Sequence, residues 1–399
     1  MKKQEGLISD MEIRDFGKKY SDYVIAMRRQ FHSMAEVSLQ EYNTSAKIVE
    51  ELAKIGIKGR IVADTGVLAE IKGGKPGKMV ALRADTDALS VTEMTGVEYA
   101  SKTPGVMHAC GHDNHIAMLL GAAKILYDIK DELPGDVRLI FEPGEEVAKG
   151  AMKMIAAGAM DGVDSVFGMH VWIDLPAGKI SVEEGPRMAS ADFFTIEIDG
   201  ISCHGSKPDQ GIDAIVAGAA LVNNLQTIVS REVNPNELAV VSIGEFKAGE
   251  QSNVIAGHAH LSGTTRAYSH ELREALPDMM ERIIHYTGET FRAKMTLNYN
   301  MGSSPVINDP LGTSVARQAV IDILGEDAFG HVKASSGGED FSEYLRLAPG
   351  CFAYLGVYNE ACGAVHPHHS NYFNVDESVL INGSMIAAQY VKNFLNLNV

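Results

Sequence analysis

Three apolar runs constrain the fold most: KMVALRADTDAL from Lys78, VRLIFEPGEE from Val137 and VDSVFGMH from Val163. None alternates apolar with polar residues, so each strand has to be covered on both faces. The cover is present between and around them. YVIAMRRQFH, SAKIVEELAKIG with Gly56 as its stop, HIAMLLGAAKILY, AKGAMKMIAAGAM and the C-terminal SVLINGSMIAAQYVKNFLNL all show helical spacing. Helices alternating with buried strands predict an α/β domain on a central, largely parallel sheet.

Near residue 185 the texture changes. DFFTIEIDGIS alternates as a half-buried strand, GIDAIVAGAALVNNLQTIVS is helical, ELAVVSIGEFKAG and HAHLSGTTRA are strands, HELREALPDMMERIIHYTGETF is an amphipathic helix, and RAKMTLNYN closes the series. This order fits a smaller two-layer α+β unit inserted into the larger domain. The expected organisation is therefore residues 1–184, the first part of the catalytic domain; 185–299, an inserted lid or dimerisation domain; and 300–399, its second part. A chain of 399 residues is long enough for two cores.

The chemistry-bearing residues cluster where the apolar runs end. Cys110 and His112 lie before the helix from His115, Glu145 and Glu146 follow VRLIF, His170 closes VDSVFGMH, and His366, His368 and His369 share a loop after CFAYLGVY. Strand ends in such a sheet open onto one crevice, so these residues can converge. Cys110 and His112 would stand roughly 200° apart on a regular helix, so they can share an ion only from a loop or strand end. Gly111 between them allows the tight backbone. Thiolate, imidazole and carboxylate together suit zinc or another late divalent ion. After the Pro-Gly turn of EPGEE, one glutamate can ligate while its neighbour faces a water. A simpler reading makes Cys110 a buried hydrophobe and Asp113 or Asn114 a helix cap. A cysteine nucleophile with a histidine base leaves Glu145, Glu146, His170 and His369 without roles, and no GxSxG elbow supports a serine nucleophile.

Fifty-two acidic against 35 basic residues give a formal net charge of −17. That field repels nucleic acids and anionic membranes, so neither is expected as a partner. Acidic residues interrupt the N-terminal stretch, no run has transmembrane character, and the four cysteines form no CxxC pair. A cytoplasmic protein is expected.

RADTDAL (83–89), GVMHACGHDNHIAMLLGAA (105–123), FEPGEE (141–146), FGMH (167–170), NVI (253–255), GTTR (263–266), GGEDFS (337–342) and HHSNYF (368–373) occur in order along nearly the whole chain. In this combination the chain resembles the M20 metallopeptidase family, in its amidohydrolase branch of N-acyl-amino-acid, hippurate and auxin-conjugate hydrolases. The resemblance implies a binuclear site for two divalent transition-metal ions (zinc, manganese or cobalt) per subunit. Cys110 would bridge them, with His112, Glu146, His170 and His369 as the other ligands and Glu145 as general base. It also implies that His204, in SCHGS, stabilises the oxyanion from the inserted domain, often across a dimer interface, and that Asn253 and Arg266 meet the substrate's end. A carboxylate would suit the Arg266 guanidinium. The implied reaction is hydrolysis of small N-acyl amino acids by a homodimer or homotetramer. A metallo-aminopeptidase or dipeptidase, and a non-catalytic binding protein of the same fold, are the alternatives. Pro-Gly in FEPGEE, CHGS, and the glycine of GGED depart from the branch's usual residues, and none of them removes an expected ligand.

Overall fold

The computed structural model describes residues 10–397. The first nine positions of the N-terminal stretch, read above as interrupted by acidic residues, lie outside them. Among the described residues no helix is long and apolar enough to cross a membrane.

The chain divides into two compact units. One comprises the chain up to Arg187 with Asn308–Lys333 and the part from Asp340 onward; the other comprises Met188–Ile307 and Ala334–Glu339. The first unit is built on a seven-stranded sheet in the order Gly59–Val62, Gly66–Ile71, Gly135–Glu142, Lys78–Asp85, Ser165–Pro176, Gly350–Tyr358, Ile180–Ser181. Its four central strands run parallel and both edges are antiparallel, so the sheet is mixed. The central strands are buried nearly throughout, which is why their sequences carry no alternation. Helices Asp10–Ser33, His112–Asp128 and Leu380–Leu395 pack together around this core, with Leu120, Ile125, Phe167, Ile386 and Tyr390 inside it. Helix Tyr42–Ile55 ends where Gly56 enters the left-handed region at φ 100° and its N–H reaches the Ala53 and Leu52 carbonyls.

Strand Ser165–Pro176 outlasts a neighbour. Its pairing with Lys78–Asp85 stops at Arg83 against Gly168, while pairing with Gly350–Tyr358 continues past His170. Peptide groups beyond Gly168 on the vacated side therefore need other partners.

The second unit is a four-stranded antiparallel sheet in the order Lys294–Ser303, Ala191–Asp199, His258–Ala267, Ala239–Ala248. Phe194, Ile196 and Ile198 alternate inward to pack with Leu221 and Leu225 of helix Ala214–Thr227 and Leu276 and Met280 of helix His270–Phe291. Asp213 and Ser269 cap those helices. The strand from Lys294 continues through Ser303 because it still pairs there, with Ala191.

Candidate metal centre

The metal-ligand candidates of the first unit sit on backbone that only particular residues allow. Gly111 stands at φ 96°, and a Cβ on it would lie 2.5 Å from Val171 Cγ2. Helix His112–Asp128 starts from Gly111 with no side-chain cap. The capping role considered for Asp113 and Asn114 is thus not found; the Asp113 carboxylate is engaged instead by Arg28 Nε at 2.9 Å and His32 Nδ1 at 2.8 Å. Gly144, at φ 68°, turns the chain after strand Gly135–Glu142 so that Glu145 and Glu146 fall on a short 3₁₀ turn. His369 is itself left-handed at φ 66°, held by its N–H donating to the Ala109 carbonyl at 2.8 Å.

These segments bring five expected ligands and the expected base together. Ligand atoms of Cys110, His112 and His170 lie within 4.8 Å of one another, as do those of Cys110, Glu146 and His369, and those of His112, Glu145 and Glu146. Cys110 belongs to the first two groups. Its Sγ is 3.5 Å from His170 Nε2, and Glu146 Oε1 is 3.5 Å from His369 Nε2. His112 Nδ1 donates to Asp87 Oδ1 at 3.1 Å, and His170 Nδ1 donates to the Val171 carbonyl at 2.6 Å. Both rings therefore turn Nε2 toward the cluster. His112 Nε2 and Glu146 Oε1 are buried without a hydrogen-bond partner among the described residues.

The electrostatics favour a cation there. Burial works against a charged His112, yet Asp85 and Asp87 outweigh it and carry its pKa up to about 10. A positive centre at Nε2, whether proton or metal, is what this field stabilises. Burial, with the carboxylates of Glu146 and Glu145, holds the Cys110 thiol well above its usual range. That is unfavourable for a cysteine nucleophile, which needs a lowered pKa; a divalent cation reverses it by stabilising the thiolate. Burial pushes His170 well below its usual range, leaving a neutral ring with a free lone pair. Orphaned Nε2 and Oε1 atoms, a thiol and converging imidazoles fit a late divalent ion. With Cys110 common to two groups, the set suits two ions per subunit.

Several residues that act on this cluster carried no individual role in the sequence analysis. Asp87 Oδ1 also accepts the Glu145 N–H at 3.2 Å, and Oδ2 accepts the Glu146 N–H at 3.1 Å and the Ser38 hydroxyl at 2.6 Å. Asp85 accepts from Arg83 Nη1 at 2.7 Å and from His115 Nδ1 at 2.5 Å. Glu41 Oε1 accepts the Gly144 N–H at 2.9 Å. The two aspartates of RADTDAL, two apart at a strand end, were the available signal.

His204, Asn253 and Arg266 belong to the second unit. His204 is exposed, and its Nδ1 accepts from the Ser206 N–H at 3.1 Å and is 2.8 Å from the Ser206 hydroxyl. Its proton is therefore on Nε2. The adjoining Gly205 N–H donates to the Asn253 carbonyl at 2.7 Å, joining the two loops. Arg266 Nη1 donates to the Thr265 carbonyl at 2.9 Å and to the Thr264 hydroxyl, and no carboxylate of the described residues pairs with the guanidinium.

Residues 81–393 match the model of peptidase family M20/M25/M40. The chain is 39% identical over 384 residues to thermostable carboxypeptidase 2 of Saccharolobus solfataricus, covering 95% of this chain and 97% of that one. It is 40% identical over 375 residues to an N-acetylcysteine deacetylase of Bacillus subtilis, covering 94% and 96%. Among solved structures, the Bacillus subtilis YXEP protein, a dinuclear metal-binding peptidase of the M20 family, superposes with a TM-score of 0.84 at 37% identity, over 95% of this chain and 99% of that one. The chain belongs to peptidase family M20/M25/M40, as a metal-dependent amidohydrolase of small acylated substrates.

Proposed function

We propose that the protein hydrolyses the amide bond of a small N-acyl amino acid, releasing a carboxylic acid and a free amino acid. The observation that carries this reading is the sharing of Cys110 between two ligand groups, with Glu145 in a third that adjoins both. Cys110, His112, Glu146, His170 and His369 would hold two zinc, manganese or cobalt ions, Cys110 being common to two of the ligand groups. When bound, such ions bring the pKa of a water close to neutrality and polarise the scissile carbonyl. Glu145 takes the water's proton on its carboxylate and returns it to the leaving nitrogen. His204 donates its Nε2–H to the developing oxyanion, a role its tautomer supports. Arg266 and Asn253 receive the substrate's free carboxylate. The two relatives, a carboxypeptidase and an N-acetylcysteine deacetylase, both have names that place an amino acid on the nitrogen side of the cut bond. All four cysteines are free, which suits the cytoplasm.

A panel of N-acetyl, N-benzoyl and indole-acyl amino acids, their carboxyl esters and free dipeptides tests the substrate class. Turnover of the acyl amino acids that falls on esterification is expected. Preference for dipeptides with a free amine would replace the reading with an aminopeptidase or dipeptidase, and indifference to esterification would remove the carboxylate clamp.

The reading takes a homodimer as the working unit, with His204 serving the partner's site. His204→Ala and Glu145→Gln homodimers should each be nearly inactive. Random mixing makes half the dimers mixed, each with one intact site, so co-refolded chains should recover about one quarter of parental activity. Mixed dimers proven by tagged co-purification, yet without activity, would end the trans assignment.

A further inference from the structure

His115 is the histidine of the CGHDNH stretch that the reading above leaves unused. One of its ring nitrogens lies within 4.8 Å of an Asp85 carboxylate oxygen and a His112 ring nitrogen, so it has the makings of a metal ligand. Its hydrogen bonds say otherwise. Nδ1 is 2.5 Å from Asp85 Oδ1, and Nε2 accepts the Val171 N–H at 2.9 Å. A peptide N–H can only donate, so Nε2 carries a lone pair, Nδ1 carries the proton, and both nitrogens are engaged. Freeing Nε2 for an ion would orphan a buried peptide N–H, which is costly.

The bond to Val171 lies where the sheet needs it. Pairing of strand Ser165–Pro176 with Lys78–Asp85 has stopped at Gly168, and Val171 is beyond that point. His115 takes the Val171 N–H, while the carbonyl of the same residue accepts from His170 Nδ1 at 2.6 Å and His368 Nε2 at 3.0 Å. The His115 and His170 rings meet edge to face, centroids 4.4 Å apart. Asp85, which fixes the His115 tautomer, is anchored by Arg83. The imidazole thus replaces the missing strand at the N–H of Val171, the residue whose carbonyl, on the following peptide, orients His170.

We propose that His115 is a positioning residue for His170: by accepting the Val171 N–H it aims His170 Nε2 at the ion shared with Cys110 and His112, and it is not itself a ligand. This rests on the ligand assignment made above.

The test titrates metal-free full-length protein with cobalt, following the thiolate-to-cobalt band of Cys110 and counting bound ions by elemental analysis. His115→Gln presents a side-chain oxygen at about the reach of Nε2, whereas His115→Asn keeps a donor for Asp85 and loses the acceptor. His115→Asn should weaken one of the two cobalt dissociation constants by about 10–100-fold, the range for losing a residue that orients a ligand, and leave the other within about threefold. His115→Gln should restore the weakened constant to within about threefold of the parent. Glutamine as damaging as asparagine, with one ion lost from the count, would make His115 a ligand and overturn the proposal. Cobalt constants unchanged in His115→Asn, even with a lowered unfolding temperature of the metal-free protein, would overturn it as well. Should His115→Asn fail to fold, Asp85→Asn, which unlocks the tautomer, must give the same one-sided weakening. A parent protein that shows no thiolate band at all would instead overturn the ligand assignment, a failure distinct from these.

Discussion

Asp87→Asn puts the organisation of the centre to a quantitative test. The Asp87 carboxylate is buried and accepts four donors: His112 Nδ1 and the Glu145 N–H on Oδ1, the Ser38 hydroxyl and the Glu146 N–H on Oδ2. An amide in its place keeps one oxygen and substitutes an NH₂ for the other. If the NH₂ takes the Oδ1 position, His112 must accept at Nδ1 and move its proton to Nε2, which removes it as a ligand, and the Glu145 N–H faces a donor. If it takes the Oδ2 position, Ser38 can rotate to accept and only the Glu146 N–H is orphaned, so this orientation should win. One buried peptide N–H left unpaired costs about 1–3 kcal/mol, and weakening of the surviving charge-assisted bonds brings the expected loss to roughly 2–4 kcal/mol. Because the orphaned N–H belongs to Glu146, retention of an ion should fall as well, by about 10–100-fold. Denaturant unfolding of the metal-free protein reads the first quantity, taken from the transition of the first unit alone because two units need not unfold together. Equilibrium metal counting reads the second. A variant within about 0.5 kcal/mol of the parent and with the parent's metal affinity would show that the four bonds do not organise the centre.

Two further outcomes follow from the same geometry. Glu145→Gln should keep its ions and lose turnover by about 10²–10⁴-fold, whereas Glu146→Gln should lose metal first; metal content measured beside turnover separates them, and the reverse pattern would exchange their roles. Glu93 is opposed by burial, but His32, Thr95 and the Ser101 N–H outweigh it and hold its pKa down to about 2. Because that lies below the unfolded carboxyl value, its contribution is present above about pH 4.3 and is lost as pH falls toward 2. Glu93→Gln should therefore flatten the decline of the unfolding midpoint between about pH 4.3 and 2, and parallel curves for the two proteins would refute the assignment.

The outline of the fold was legible because long apolar runs cannot be solvated: Lys78–Asp85, Gly135–Glu142 and Ser165–Pro176 were visible from composition along the chain. The β-rich run GRIVADTGVLAEIKG likewise supplies the edge strands Gly59–Val62 and Gly66–Ile71, but the opposite edge was not legible. Ile180–Ser181 is two residues long, too short to carry a period, and becomes a strand only by pairing with Tyr354 and Leu355. Glu145, Glu146 and His170 could be singled out because they stand at the ends of those runs, and Cys110 and His112 because they crowd the stretch before a predicted helix. Arg28 could not, since its meaning comes from Asp113, 85 residues away, and from Asn374 and Glu377 near the other end of the chain. The alternative of Asp113 or Asn114 as a cap stays open in the sequence for the same reason: local spacing shows a helix start, and only the packed structure shows the buried arginine.

Spacing also does not separate ligand histidines from their look-alikes, although the hydrogen bonds do. His112 and His170 each give one nitrogen to the chain, Nδ1 to Asp87 and Nδ1 to the Val171 carbonyl, and turn the other toward Cys110 and Glu146. His115 gives both nitrogens away. His368 donates Nε2 to the Val171 carbonyl, and burial with neighbouring His369, His115 and His112 drives its pKa down to about 3, while its ring packs against Trp172 and Phe373. A buried imidazole can serve an ion only with the nitrogen the chain has not already used. On that criterion the two histidines of CGHDNH supply one ligand and one support, and adjacent histidines at 368 and 369 divide in the same way. Residue Val171 links the supports, with His115 at its N–H and His368 at its carbonyl, because it lies where one strand has ended and its neighbour continues.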